Sequence, residues 1–192
     1  MSRIIVGITG ASGAVYGVRL LEVLHGSAIE THLVVSEAGK MVVEHECGLA
    51  FEYLASLAAR TYHADDFTAA LASGSFQAQA MVIVPCSMKT MGLLSQGIAA
   101  NLMVRAAECM LKEGRKLVLV PRETPLTAIH LENMLRLARI GAHILPASPG
   151  FYHLPATLQE AVDMVVGKIC DLLAVEHRLF KRWEGPPAND SG

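Results

Sequence analysis

The 192-residue sequence predicts an α/β fold, a parallel sheet covered by helices on both faces. Three observations carry this. Short apolar runs recur along the chain, helical patterns separate them, and small loops rich in glycine or hydroxyl groups follow the runs. Runs of this kind are buried on both sides, as parallel strands are when helices cover each face.

The strand-like runs fall at residues 3–8 (RIIVGI), 31–35 (THLVV), 80–85 (AMVIVP), 116–120 (KLVLV) and 143–146 (HILP). Helical patterns occupy 14–25, 38–47, 88–97, 100–113, 126–140 and 157–174. The segment 50–79 is less regular: it holds a short helix (FEYLASLAA), Asp65-Asp66 and SGSF, and reads as a loop excursion. The chain is expected to form a single domain over 1–183, with a disordered tail over 184–192 (EGPPANDSG).

Composition narrows the function. Sixteen basic residues nearly balance 18 acidic ones, so neither a nucleic-acid surface nor an acidic tail is expected. No apolar run approaches the roughly 18 residues of a membrane span. A strand begins almost at once, which argues against a signal peptide. Cys47, Cys86, Cys109 and Cys170 lack metal-ligand spacing and fit free thiols in a reducing cytoplasm. An apolar share of 52% against 18% charged residues favours surfaces buried between subunits, hence a homo-oligomer.

Loops after strands carry ligands in such folds. The first, Thr9-Gly10-Ala11-Ser12-Gly13, opens a helix, so its N–H groups suit an anion. Its glycines do not match G-x-G-x-x-G, and no G-K-[ST] follows. The second strand ends at Ser36, suited to a phosphate or flavin contact or to an ordinary helix cap, and Glu37 keeps a dinucleotide ribose in play. The third loop, PCSMKT, sets Ser87, Lys89 and Thr90 at the same edge. In the fourth, VPRETPL, Arg122 and Glu123 read either as a structural ion pair or as a phosphate clamp beside a proton-transfer carboxyl. The fifth, SPGFYH, brings Tyr152 and His153. No zinc cluster, aspartate-rich magnesium motif or G-x-S-x-G elbow is present. The residues alone thus point to an anionic, phosphorylated ligand held by Arg, Lys and Tyr.

Taken together, GITGASGAVYGVRLLE, SGSF, VPCSMKT, NLMVRAAECMLKEGRKLVLVPRETPLTAIHLENM and LPASPGFYHLP resemble the flavin prenyltransferase family, from residue 7 to about 183. The resemblance implies a three-layer Rossmann-like or flavodoxin-like fold, assembled as a dodecamer. It implies reduced FMN as a substrate, prenylated at N5 and then C6 from dimethylallyl phosphate for a UbiD-type decarboxylase, without a metal. By motif, Gly10, Ala11, Ser12, Ser36, Ser87, Met88, Lys89, Thr90 and Arg122 hold FMN, with Ser12 near the reacting ring. Arg105, Lys112, Arg122, Tyr152 and Lys168 meet the prenyl phosphate, some from a neighbouring subunit. Lys168 stands where other members carry Arg and lacks the bidentate fork. Glu46 falls where an adjacent subunit's carboxylate faces the flavin. Trp183 aligns with an aromatic that closes over the site, and Glu123 or the departing phosphate takes the C6 proton. The alternatives are a flavin-dependent decarboxylase and a non-catalytic FMN-binding subunit. The first would carry a catalytic His in the first helix, where this chain has only His25 at the end; the second would not need the cation cluster.

Overall fold

A computed structural model describes residues 2–183 and 185; the rest of the expected tail, 184 and 186–192, lies outside the described residues. The chain divides into two compact units, Met1–Ala147 and Ser148–Gly192. The first holds β1 (Arg3–Ile8), α1 (Ala14–His25), β2 (Glu30–Val35), α2 (Glu37–Cys47), α3 (Phe51–Leu57), β3 (Arg60–Tyr62), β4 (Ala80–Cys86), α4 (Met88–Ser95), α5 (Leu102–Lys112), β5 (Lys116–Pro121), α6 (Ala128–Arg139) and β6 (His143–Ile144). The second holds α7 (Leu158–Leu173).

All six strands pair in parallel, in the order β3-β2-β1-β4-β5-β6. The five strands foreseen from the sequence form its centre and one edge. Taken alone they run 2-1-3-4-5, the flavodoxin-like order, and β3 extends it to the Rossmann-like 3-2-1-4-5-6. This corrects the reading of 50–79 as a loop excursion. The strand was missed because Arg60-Thr61-Tyr62 is short and exposed, pairs only through β2, and shows no apolar run.

Alternation along the strands sends side chains to opposite faces. Ile5, Val34, Met81, Ile83, Leu117 and Leu119 pack with Met103, Val104, Ala107 and Met110 of α5. On the other face α1 comes so close that a Cβ on Gly17 would lie 2.5 Å from the Val84 carbonyl and 3.1 Å from Ile8. Every residue of β4 is buried. The chain leaves β1 toward β2 on one side and returns to β4 on the other, so the switch point lies between the carboxyl ends of β1 and β4. Folds of this type bind ligands there.

In the second unit α7 ends at Ala174, a non-glycine residue in the left-handed region (φ 57°), which turns the chain back on itself. Asp171 near the end of α7 receives both terminal nitrogens of Arg182, at 3.1 and 2.6 Å, and Nε2 of His177 at 3.0 Å. The Arg182 fork, then His177, outweigh burial and hold the Asp171 carboxyl down at about 2. A depressed carboxyl stabilises the fold above its unfolded value, 3.8, and that contribution is lost as pH falls through about 2. A carbon-detected NMR titration of Asp171 is therefore expected to show a midpoint near 2; a midpoint at 3.8 would mean the pair is open in solution.

Candidate active site

The site grows from the loops at the switch point. Thr9 ties two of them together: its hydroxyl donates to the Pro85 carbonyl at 2.6 Å and accepts from the Ser87 N–H at 2.8 Å. In the sequence Thr9 is only a loop hydroxyl directly after a buried strand, with nothing to signal this brace. Gly10 is fixed by closeness rather than by φ, since a Cβ there would lie 2.5 Å from Ala38 Cβ. Gly10→Ala is thus expected to cost about 1–3 kcal/mol of stability. Urea unfolding with an unchanged midpoint would show that the loop has slack.

Gly13, at φ 99°, caps α1 in the left-handed region and exposes two N–H groups. Both are occupied. Glu46 Oε2, from the end of α2, accepts from Gly13 at 2.8 Å and from Ala14 at 2.9 Å. Burial works to raise the Glu46 carboxyl, but the Ser12 hydroxyl, these two N–H groups and the nearby Arg122 charge outweigh it and hold it below the usual carboxylate range. The anion on the N–H groups of the first loop is, within one chain, Glu46 of the same chain.

Arg122 follows β5 and reaches back across the crevice. Its Nε donates to the Ser12 carbonyl at 2.9 Å, and its stem lies against Gly13, where a Cβ would meet Arg122 Cγ at 3.5 Å. Its terminal donors have no hydrogen-bond partner among the described residues. Glu123 does not pair with it. The Glu123 carboxylate accepts from the Thr124 N–H at 3.0 Å and faces solvent, so the ion-pair reading of this loop is not what the structure contains.

Ser36 and Ser87 both act as helix caps. Ser36 Oγ accepts from the Gly39 N–H at 3.0 Å, and Ser87 Oγ from the Thr90 N–H at 3.3 Å. Thr90 is buried and bonds Ser87 through its hydroxyl, Met88 packs on the core, and Lys89 is exposed. With the α1 terminus taken by Glu46, the starts of α2 and α4 are the remaining helix ends that flank the crevice.

Arg105 stands one turn into α5, its Nε bonded to the Ala72 carbonyl at 3.1 Å and its guanidinium near Glu108. Lys112 pairs with Glu113. It lies just before β5 begins, whereas Arg122 lies just after β5 ends. Six strand residues separate those edges by roughly 20 Å, so one chain does not bring Lys112 and Arg122 to the same small phosphate. In the second unit Tyr152 meets Trp183 edge-on, ring centres 6.2 Å apart, and Lys168 lies 3.6 Å from Asp171 with half its side chain exposed.

The Flavoprotein family model matches residues 1–182. The flavin prenyltransferase UbiX of Methanothermobacter thermautotrophicus is 47% identical, over 96% of this chain and 97% of its own. Among solved structures, AnUbiX (PadA1) in complex with FMN and dimethylallyl pyrophosphate superposes with a TM-score of 0.94 at 41% identity, covering 96% of this chain and 98% of that one. A dodecameric FMN-dependent UbiX-like decarboxylase from Escherichia coli O157:H7 gives 0.93 at 46% identity, covering 95% of this chain and all of its own. This chain therefore belongs to the flavoprotein family and, within it, to the flavin prenyltransferases of the UbiX type.

Proposed function

We propose that the protein joins the dimethylallyl group of dimethylallyl phosphate to N5 and C6 of reduced FMN, and that the prenylated flavin passes to a UbiD-type decarboxylase in the cytoplasm. The observation that carries this is Arg122 anchored through Nε to Ser12 at the switch point, its terminal donors without a hydrogen-bond partner among the described residues, in a chain 47% identical to a flavin prenyltransferase. Gly10, Ala11 and Ser12 hold the flavin ring. Ser36 and Ser87 to Thr90 receive its phosphate at the starts of α2 and α4. Glu46, held ionised on the first loop, orders Ser12 and Gly13 against the reacting face. We read the two compact units as parts of one flavoprotein domain, since the family match runs from 1 to 182.

Transfer breaks the C1–O bond of the prenyl phosphate, the phosphate leaving with the electron pair. A bond forms from C1 to flavin N5, which gives up its proton. Ring closure adds a proton to the alkene, joins C6 to the tertiary carbon and releases the C6 proton. Fixed cations lower the barrier by neutralising the leaving phosphate, a role we assign to Arg105, Lys112, Arg122 and Lys168, with the Tyr152 hydroxyl as a neutral donor, drawn from more than one copy of the chain. Trp183 offers a π face to the allylic cation. Anaerobic phosphate release tests this directly: it is expected only when reduced FMN and dimethylallyl phosphate are both present. Release that is indifferent to FMN would make the protein a phosphatase instead.

The edge placement of Lys112 and the surface of α6 support an oligomer, which we take to be a dodecamer. Leu131 and Leu135 on α6 are 53% and 51% exposed, large apolar side chains left uncovered in one chain. Leu131 and Leu135 are one turn apart. The Leu131→Glu, Leu135→Glu double variant is expected to sediment as smaller species and to lose turnover with them. An unchanged sedimentation profile would place the interface elsewhere.

A further inference from the structure

The segment after α7 is tied down more firmly than a chain end requires. Beyond Ala174 it runs back along α7 over Gly167, where an added Cβ would lie 2.5 Å from the Phe180 ring and 2.7 Å from His177. Asp171 grips it at two points: His177, whose side chain is only 3% exposed, and the Arg182 guanidinium, held through both terminal nitrogens. A fork of this kind fixes direction as well as distance. Trp183 is the next residue. From His177 a train of rings leads to it through Phe180 (5.6 Å), His153 (6.4 Å), Tyr152 (5.5 Å) and Trp183 (6.2 Å, edge-on). Both His153 nitrogens lack hydrogen-bond partners among the described residues, so ring packing carries that link.

We propose that Asp171 is a positioning residue for prenyl transfer, latching the 175–183 strap through Arg182 and His177 so that Trp183 is held against Tyr152. This rests on the assignment of Tyr152 and Trp183 to the prenyl group. Lys168 also faces Asp171, but at 3.6 Å against 2.6 Å for Arg182, so the carboxylate is committed to the strap and the lysine stays available to a phosphate. Arg182 answers the Asp171 charge, and Asp171 keeps its charge throughout the neutral range.

Trp183 is the only tryptophan in the chain, so its fluorescence reports the strap alone. The test uses the full-length protein and the variants Asp171→Asn and Arg182→Met; the second removes an exposed side chain and does not threaten folding. Both variants are expected to add a fast component to the Trp183 anisotropy decay and to lower kcat/KM for dimethylallyl phosphate about tenfold or more, with FMN affinity unchanged. An unaltered decay in both variants overturns the latch. A mobile Trp183 with unaltered kcat/KM overturns its role in transfer. If the wild-type protein forms no prenylated flavin while the variants still free Trp183, the functional assignment fails and the latch as a structural device remains.

Discussion

Arg122→Leu is expected to fold normally and to lose about 10²- to 10³-fold in kcat/KM for dimethylallyl phosphate. The side chain lies across Gly13 with its Nε on the Ser12 carbonyl, so its terminal donors are held in place before any ligand arrives. A charge fixed in advance costs no reorganisation when the phosphate departs. Leucine keeps the stem's apolar packing and removes the charge, and Ser12 loses only a carbonyl partner at the surface. Lysine is not expected to rescue: it cannot keep the Nε bond while reaching the phosphate with a second donor. Steady-state kinetics and far-UV circular dichroism of the two variants check this. A folded Arg122→Leu enzyme within a fewfold of wild type would remove Arg122 from phosphate neutralisation.

The second large effect is expected from Glu123→Gln. The wild-type carboxylate spends one oxygen on the Thr124 N–H at 3.0 Å and otherwise faces solvent, with no ion pair to Arg122. Glutamine retains that acceptor and the loop geometry but cannot take a proton at C6. FMN should bind as before while turnover falls about 10²- to 10⁴-fold, the usual worth of a positioned general base. Mass spectrometry separates the steps: a base used only for ring closure leaves the N5 adduct to accumulate. Full activity would exclude Glu123 and leave the departing phosphate as the base.

Local pattern made most of this architecture readable. Strands β1, β2, β4 and β5 show as apolar runs because both their faces are buried, whereas β6, exposed at His143, shows only two paired residues of the run 143–146; α1 falls at 14–25 as its periodicity predicts. Ser36 and Ser87 could be read as caps because a cap is a contact three residues long. The features that escaped depend on distant partners. β3 needs β2 to exist as a strand, and Thr9 becomes a brace only when Pro85 and Ser87 arrive 76 and 78 positions later. Glu46 stands out only through the family resemblance, and its bond to the N–H of Gly13 in the same chain, 33 residues away, has no periodicity to signal it. The cation set shows the same limit: Arg105, Lys112 and Arg122 are neighbours in the motif, yet α5 runs opposite to β5 and leaves Lys112 at the far edge.

Under the proposed function, FMN leaves this protein altered. The most direct measurement incubates the protein anaerobically with reduced FMN and dimethylallyl phosphate and takes the mass of the released flavin. A gain of one C5H8 unit per flavin is expected, with one phosphate freed for each. Flavin recovered at the mass of FMN from folded, FMN-binding protein would contradict it.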